Sequence, residues 1–144
     1  MEGYVSEIYE PGSKPWHQLK FLRAVRNGNL TEVEYYMETD LDINEKYEGT
    51  SALHVAIQSR YIGREKMVAL LLENGANPNT PNNQGKTSAN ILTKHEENNV
   101  IMGFLGGART AVKEANKEIA DLLIKHGAET DSGFKSSFPD KKEK

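Results

Sequence analysis

Three segments of this 144-residue chain end in the same way. In each, a short apolar run stops at a glycine or an aspartate and leads into a turn rich in Asn and Asp, at residues 33–44, 67–79 and 119–131. Gly75 and Gly127 follow two of these runs, where glycine can adopt the left-handed conformation that ends a helix. Such recurrence is typical of stacked repeats, which contact only their neighbours. The chain is therefore predicted to present a binding surface rather than an enzyme pocket.

The residues that precede each ending carry a family resemblance. Residues 49–56 read GTSALHVA, which resembles the ankyrin stretch G-x-T-P-L-H-x-A with Ser in place of Thr and Ala in place of Pro. Residues 85–92 occupy the same place in the next repeat, where Gly85 and Thr87 match. Residues 22–30 resemble the first helix and turn of a leading repeat. The resemblance covers residues 18 to 131 and implies an all-α ankyrin-repeat solenoid of three stacked helix-turn-helix units.

The third repeat is enlarged. Gly75 and Gly127 are 52 positions apart, whereas the ankyrin period is about 33 residues, so about 19 extra residues are expected near 95–115. Apolar residues from 108 to 123 keep helical spacing, which predicts that the second helix extends backwards by about three turns. The apolar run 100–105 would join the two helices. It either covers the end of the stack or docks a partner through Ile101, Met102, Phe104 and Leu105.

The ends of the chain differ from the repeats in composition. Residues 1–16 are rich in turn-forming residues and are predicted to be an irregular N-terminal segment, with Trp16 covering the apolar end of the first helix pair. The repeat domain is predicted over residues 17–131. Residues 132–144 have the composition of a disordered tail.

Composition argues against several kinds of function. The net charge of −3 and the mixed Lys and Glu give no nucleic-acid or membrane footprint, and the absence of Cys leaves no thiol nucleophile or cysteine-bound zinc. The four histidines lack ligand spacing, and the glycine-rich residues 103–109 lack the Lys-Ser/Thr of a phosphate-binding loop. We therefore predict a non-enzymatic cytoplasmic protein without metal or cofactor, monomeric when free. For His54, the resemblance implies a structural role, with hydrogen bonds to neighbouring backbone turns.

The resemblance also implies the partner and the surface. Ankyrin proteins bind other proteins on a concave face, which is built from the turn tips and the first helix of each pair. The corresponding residues here are Tyr47, Glu48, Thr50, Gln58, Ser59, Tyr61, Asn83, Gln84, Lys86, Lys94 and His95. Tyr47 and Tyr61 are the expected anchors, because aromatic residues dominate binding hot spots.

Two roles follow from such a face. Because the chain shows no second kind of module, we expect a small inhibitor of a partner protein, for example one of the bacterial toxin-immunity type. The alternative is an adaptor or a secreted bacterial effector that engages a host protein.

Overall fold

The computed structural model describes residues 9–59, 61–103 and 109–139, with side chains omitted for 101–103 and 109. Over these ranges the chain forms seven helices: α1 (Lys14–Asn27), α2 (Leu30–Met37), α3 (Ala52–Gln58), α4 (Arg64–Glu73), α5 (Ser88–Gly103), α6 (Arg109–Lys125) and α7 (Ser132–Ser137). The one β-bridge found in these ranges joins Tyr47 and Thr50. The all-α prediction is confirmed.

The helices stack as three pairs. Helix α1 packs on α2, α3 on α4 and α5 on α6, while α1 contacts α3, α3 contacts α5 and α4 contacts α6. Helix α3 therefore lies between the first helices of the other two pairs, and its side chains Ala52, Leu53, Ala56 and Ile57 are all at most 1% exposed. Alanines at two of these four positions let the helices approach closely. The predicted solenoid is confirmed.

Two asparagines at equivalent positions join consecutive repeats. The side-chain amide of Asn44 donates to the Gly75 carbonyl (3.1 Å) and accepts the Asn77 N–H (2.7 Å). Asn79 makes the same pair of bonds, to the Gly127 carbonyl (3.0 Å) and the Glu129 N–H (2.8 Å). Each amide thus links the end of one repeat to the end of the next.

Asp131 stands at the third equivalent position and has a different role. A carboxylate lacks the N–H group needed to donate to a further carbonyl. Its Oδ1 instead accepts the Phe134 N–H (2.9 Å), which caps α7, and its Oδ2 accepts from the Asn90 side chain (3.3 Å). The chain of amide links therefore ends at Asp131.

Helix α7 corrects the prediction of a disordered tail from residue 132. It packs on α5, and Phe134 is only 1% exposed, with the Phe138 ring 5.1 Å away. Burial of one large aromatic ring and the Asp131 cap together order this short helix. The prediction was based on the charged composition of the last residues. It overlooked a local helix signal, the N-cap residue Asp131 followed by Phe134 and Phe138. Residues 140–144 of the predicted tail lie outside the described part of the chain.

The irregular N-terminal segment is also shorter than predicted. Helix α1 begins at Lys14, because Ser13 accepts the Trp16 N–H (3.4 Å) and Pro15 suits a first helical turn. Trp16 packs against the core, edge-on to the ring of Tyr36 in α2 with centroids 6.4 Å apart. It therefore lies where it was expected, on the first helix pair.

The extra residues of the third repeat lengthen both of its helices. Helices α5 and α6 have 16 and 17 residues, against 7 and 10 for α3 and α4. The backward extension of the second helix is confirmed, but the run predicted as a joining segment is helical through Gly103. Ile101 and Met102 lie in the last turn of α5 without described side chains, and Phe104 and Leu105 lie outside the described residues.

Replacing Leu53 with Ala should destabilise the fold by about 2–5 kcal/mol, because this side chain is 1% exposed between two neighbouring repeats. Chemical denaturation would measure the loss. Ile62→Ala is the matched control, since Ile62 is fully exposed and should change stability by less than about 0.5 kcal/mol. Equal stabilities of the two variants would contradict the packing of α3.

Phe134→Ala should lower the free energy of unfolding by about 3–5 kcal/mol if α7 belongs to the folded unit. Phe138→Ala, which removes a partly buried ring from the same segment, should cost less. Thermal melts of both variants test the order of this segment. An unchanged melting temperature for Phe134→Ala would show that α7 does not contribute to the fold.

Candidate protein-binding face

The first turn tip is a tight hairpin. The N–H of Tyr47 donates to the Thr50 carbonyl (3.0 Å) and the N–H of Thr50 donates back (3.1 Å). Glu48 and Gly49 between them both have positive φ, 55° and 80°, as the two central residues of a type I′ turn require. This turn holds Tyr47, which is 39% exposed, at the edge of the stack.

The second turn tip is fixed by its own side chain and by the first tip. The Asn82 carboxamide oxygen accepts the N–H groups of Gln84 and Lys86, both at 2.9 Å. The Asn83 N–H donates to the Gly49 carbonyl (3.1 Å), which ties the two tips together. A Cβ at Gly49 would lie 2.5 Å from the Asn83 Cβ, so glycine is needed there for space as well as for φ.

These tips and the helices behind them form two concavities, which together we call the concave face. The first concavity has a volume of about 490 Å³ and is lined by Leu22, Arg26, Tyr47, Glu48, Thr50, Val55, Gln58 and Ser59. The second has a volume of about 690 Å³ and is lined by Gln58, Asn82, Gln84, Lys86, Asn90, Ile91, Thr93, Lys94, His95, Glu97, Asn98, Asp131 and Gly133. Gln58 lines both, so the two concavities adjoin.

Most of the predicted partner-binding residues meet on this face. The first concavity contains Tyr47, Glu48, Thr50, Gln58 and Ser59, and the second contains Gln58, Gln84, Lys86, Lys94 and His95. Asn83 lines neither concavity and instead links the two tips.

Tyr61, the second expected anchor, also lies elsewhere. Its hydroxyl donates to the Val25 carbonyl (2.9 Å), and a Cβ at Gly28 would lie 3.0 Å from its ring. Burial raises the pKa of the Tyr61 phenol. The structure therefore gives Tyr61 a structural contact between the α3–α4 loop and the end of α1, in place of the predicted anchor.

Several polar side chains of the concave face are exposed and uncommitted. Gln58, Gln84, Lys86, Lys94 and Asn98 are exposed, and their side chains form no hydrogen bond to another described residue. These groups can therefore pair with a ligand without first breaking an internal bond.

His54 belongs to the core rather than to the face. The Ser51 N–H donates to its Nδ1 (3.1 Å), so the ring is neutral and closes the start of α3. Burial lowers the pKa of His54, and the backbone of Thr80 and Lys86 in the next turn partly opposes this effect. Its Nε2 is enclosed without a hydrogen bond of ordinary geometry. Asn90 has the same position in the next repeat, where its Oδ1 accepts the Thr87 N–H (3.0 Å).

A buried polar network, which the sequence analysis did not find, joins three helices behind the second concavity. The Nη2 of Arg64 donates to His95 Nδ1 (3.2 Å) and to Asn116 Oδ1, and Asn116 Nδ2 donates to Glu96 Oε1 (2.6 Å). Arg64, Glu96 and Asn116 are 3%, 6% and 0% exposed. Burial lowers the pKa of Arg64, and the charges of Glu65, Tyr61 and Glu96 counteract this.

A sequence signal for this network exists. Arg64 lies three residues before Met67, and Glu96 lies four residues after Leu92. Asn116 lies three residues before Ile119. Each polar residue therefore falls on the apolar stripe of its own helix, and three such interruptions on adjacent helices indicate a shared buried site.

In the described ranges, no three His, Asp or Glu side chains come close enough to hold a metal ion. None of the helices described is both long and apolar enough to cross a lipid bilayer.

Comparison with known proteins agrees with the architecture. Residues 16–105 match the family model described as ankyrin repeats (3 copies). The chain therefore belongs to the ankyrin-repeat family, a fold that generally serves as a non-enzymatic protein-interaction module.

Two relatives place the repeats in longer proteins. An ankyrin repeat protein of Acanthamoeba polyphaga mimivirus is 31% identical over 125 residues, which are 81% of this chain and 19% of the viral protein. The nuclear factor NF-kappa-B p110 subunit of Drosophila melanogaster is 40% identical over 63 residues, 44% of this chain and 6% of that protein. The chain thus spans a fifth or less of the length of these relatives.

Stability should depend on pH through His54. Because its pKa is lower in the folded state than the ordinary value of 6.5, the unfolded chain binds the proton first, and stability falls as the pH drops below about 6.5. His54→Asn introduces the side chain found at the equivalent position Asn90. This variant should lose less stability than the wild type as the pH falls, so the slope of its unfolding free energy against pH should be smaller. Urea denaturation between pH 7.5 and 5.5 measures the difference. Identical slopes for both proteins would show that His54 is not buried in its neutral form.

Proposed function

We propose that this chain binds a partner protein through its concave face. The observation that carries the proposal is the set of exposed side chains along two adjoining concavities. Tyr47 contributes a partly exposed aromatic ring at the first tip, and the uncommitted polar groups run from Gln58 on α3 to Lys94 on α5. A tyrosine beside donors and acceptors suits a protein surface, which offers both apolar area and hydrogen-bonding groups.

The face is organised before a partner binds. The first tip is closed by two backbone bonds, the second by the Asn82 side chain, and the Asn83–Gly49 bond holds them together. A surface fixed in this way loses little conformational entropy on association, so more of the contact energy appears as affinity. The geometry therefore supports rigid docking rather than folding upon binding.

For the biological role we propose inhibition: the chain would cover a functional surface of its partner. A preformed face suits such a role, because protein inhibitors typically bind with little backbone change. The alternative is an adaptor or a secreted bacterial effector that engages a host protein. The length of the two relatives favours that alternative, since in them the matched repeats form a small part of a larger protein.

Site-specific photocrosslinking would identify the partner. A photoreactive amino acid at Gln58, which lines both concavities, should capture the partner, whereas the same group at Ile124, exposed on α6 outside either concavity, should not. Capture at Ile124 alone would overturn the proposed surface. Adding the chain to the purified partner then separates the roles, because an inhibitor abolishes the partner's activity at equimolar amounts and an adaptor leaves it intact.

Tyr47→Ala should weaken partner binding by more than about 1 kcal/mol, or roughly fivefold, because it removes the aromatic contact that the first tip offers to a partner. Tyr35→Ala is the matched control, since Tyr35 is 63% exposed on α2 and lines neither concavity. Titration calorimetry with the captured partner measures both affinities. If Tyr35→Ala weakens binding and Tyr47→Ala does not, the surface lies on the second helices instead.

A further inference from the structure

Three exposed carboxamide side chains on the concave face form no hydrogen bond to another described residue. They belong to Gln58, which lines both concavities, and to Gln84 and Asn98, which line the second. A carboxamide presents an N–H donor and a carbonyl acceptor side by side and can use both at once. The group that matches it presents an acceptor and a donor with the same spacing.

The chain itself contains such a match. The Gln18 side chain donates from Nε2 to the Asp42 carbonyl (3.3 Å), and its Oε1 accepts the Asp42 N–H (2.8 Å). Asp42 lies between α2 and α3, outside any helix, so both of its main-chain groups are available to a side chain. One carboxamide thus binds the N–H and the C=O of a single residue, and the side chain of that residue takes no part.

This pairing favours a ligand with an extended main chain. In an extended segment, the N–H and C=O of one residue point to the same side, and alternate residues expose such a pair. In a helix, both groups are bonded along the helix axis. A helical ligand would therefore offer the three carboxamides side chains alone, whereas an extended ligand offers matching main-chain pairs.

The spacing of the repeats fits a short extended segment. Gln58 and Lys94 hold equivalent positions on α3 and α5, since each follows the start of its helix by the same number of residues. Packed helices lie about 8–10 Å apart and an extended chain rises about 3.3 Å per residue, so each repeat spans about three ligand residues. A segment that crosses from α1 over α3 to α5 along both concavities therefore needs about six residues.

We propose that the ligand of the concave face is an extended segment of the partner protein, whose main chain is read by the carboxamides of Gln58 and Gln84. The inference rests on the proposed function and specifies the form of the ligand. Main-chain pairing supplies affinity with little dependence on sequence, while the groups beside it select side chains. Those groups are the exposed ammonium groups of Lys86 and Lys94 and the partly exposed ring of Tyr47.

Random linear peptides of about twelve residues, twice the expected length, serve as the probe. Peptides displayed on phage are selected on the immobilised chain, and titration calorimetry compares their affinities for the wild type and for Gln58→Ala. The variant should bind a selected peptide about fivefold more weakly, because the ligand loses its hydrogen-bonding partner. Asn27→Ala is the matched control, since Asn27 is an exposed carboxamide that lines neither concavity, and its affinity should be unchanged.

Amide-to-ester exchange in the best peptide shows whether its main chain is read. Each exchange replaces one N–H with an oxygen and leaves every side chain in place. In the wild type, an ester at one inner position should weaken binding about fivefold, and in Gln58→Ala the same ester should have no effect, because its acceptor is gone. Gln84→Ala repeats the test for a second position of the peptide. Thermal melts check that both variants keep the fold.

The inference is overturned if selection yields no peptide whose affinity depends on Gln58 or Gln84. It is also overturned if every ester weakens binding equally in the wild type and in both variants, or if the bound peptide is helical by circular dichroism. None of these measurements uses the natural partner. Capture of the partner at Gln58 without peptide binding would leave the proposed function standing and exclude an extended ligand. Peptide binding with capture at Ile124 alone would overturn the proposed function and uphold the reading of extended chains.

Discussion

The two-sided hydrogen bonding of Asn44 and Asn79 is the interaction on which the stacked arrangement depends. Each carboxamide supplies a donor and an acceptor at once, and so satisfies one carbonyl and one N–H at the end of the next repeat. Those backbone groups lie past a helix end, where the helix itself offers them no partner. A hydroxyl at this position would be too short, and a carboxylate would leave the carbonyl unpaired. One side-chain type at one repeated position thus ties the end of each repeat to the end of the next.

These links help to form the concave face. When the repeat ends are aligned by the asparagines, the turn tips come side by side, and the Asn83–Gly49 bond joins them. Each tip is internally fixed, so the surface between them inherits the rigidity of the backbone. The exposed side chains of Gln58, Gln84 and Lys94 then project from a backbone that is already held in place, and they do not contribute to the fold. A division between residues that hold the stack and residues that face outwards is what allows repeat proteins to vary their partners.

Much of this architecture was predictable because the same sequence pattern occurs in several consecutive repeats. The spacing of Gly75 and Gly127 located the enlarged repeat, and most of the residues that the resemblance assigned to the concave face do line it. The failures have local causes. Tyr61 was chosen for its residue type, but its hydroxyl lies within reach of the Val25 carbonyl near the end of α1 and donates to it.

Two further features were not predicted correctly. The order of the C-terminal segment was missed because it was judged from average composition, and the buried network was missed because it depends on contacts between distant residues. The segment after Asp131 was judged from its charged and small residues, although one buried phenylalanine and the Asp131 cap together order a helix of six residues. The network of Arg64, Glu96 and Asn116 depends on contacts between residues up to 52 positions apart. Pattern analysis of one helix at a time cannot show that such polar residues face each other.

The position of α7 gives the concave face a fixed extent. Helices α3 and α5 begin eight or nine residues after the asparagine that precedes them, and these intervening residues form the two turn tips. Helix α7 begins at the residue directly after Asp131, so no third tip is formed there, and Gly133 at its start closes one side of the second concavity. If the concave face binds a ligand as proposed, a ligand segment that lies along it would reach α7 and have to turn away there. Recognition on this face would select for the length and end geometry of a ligand as well as for its side chains.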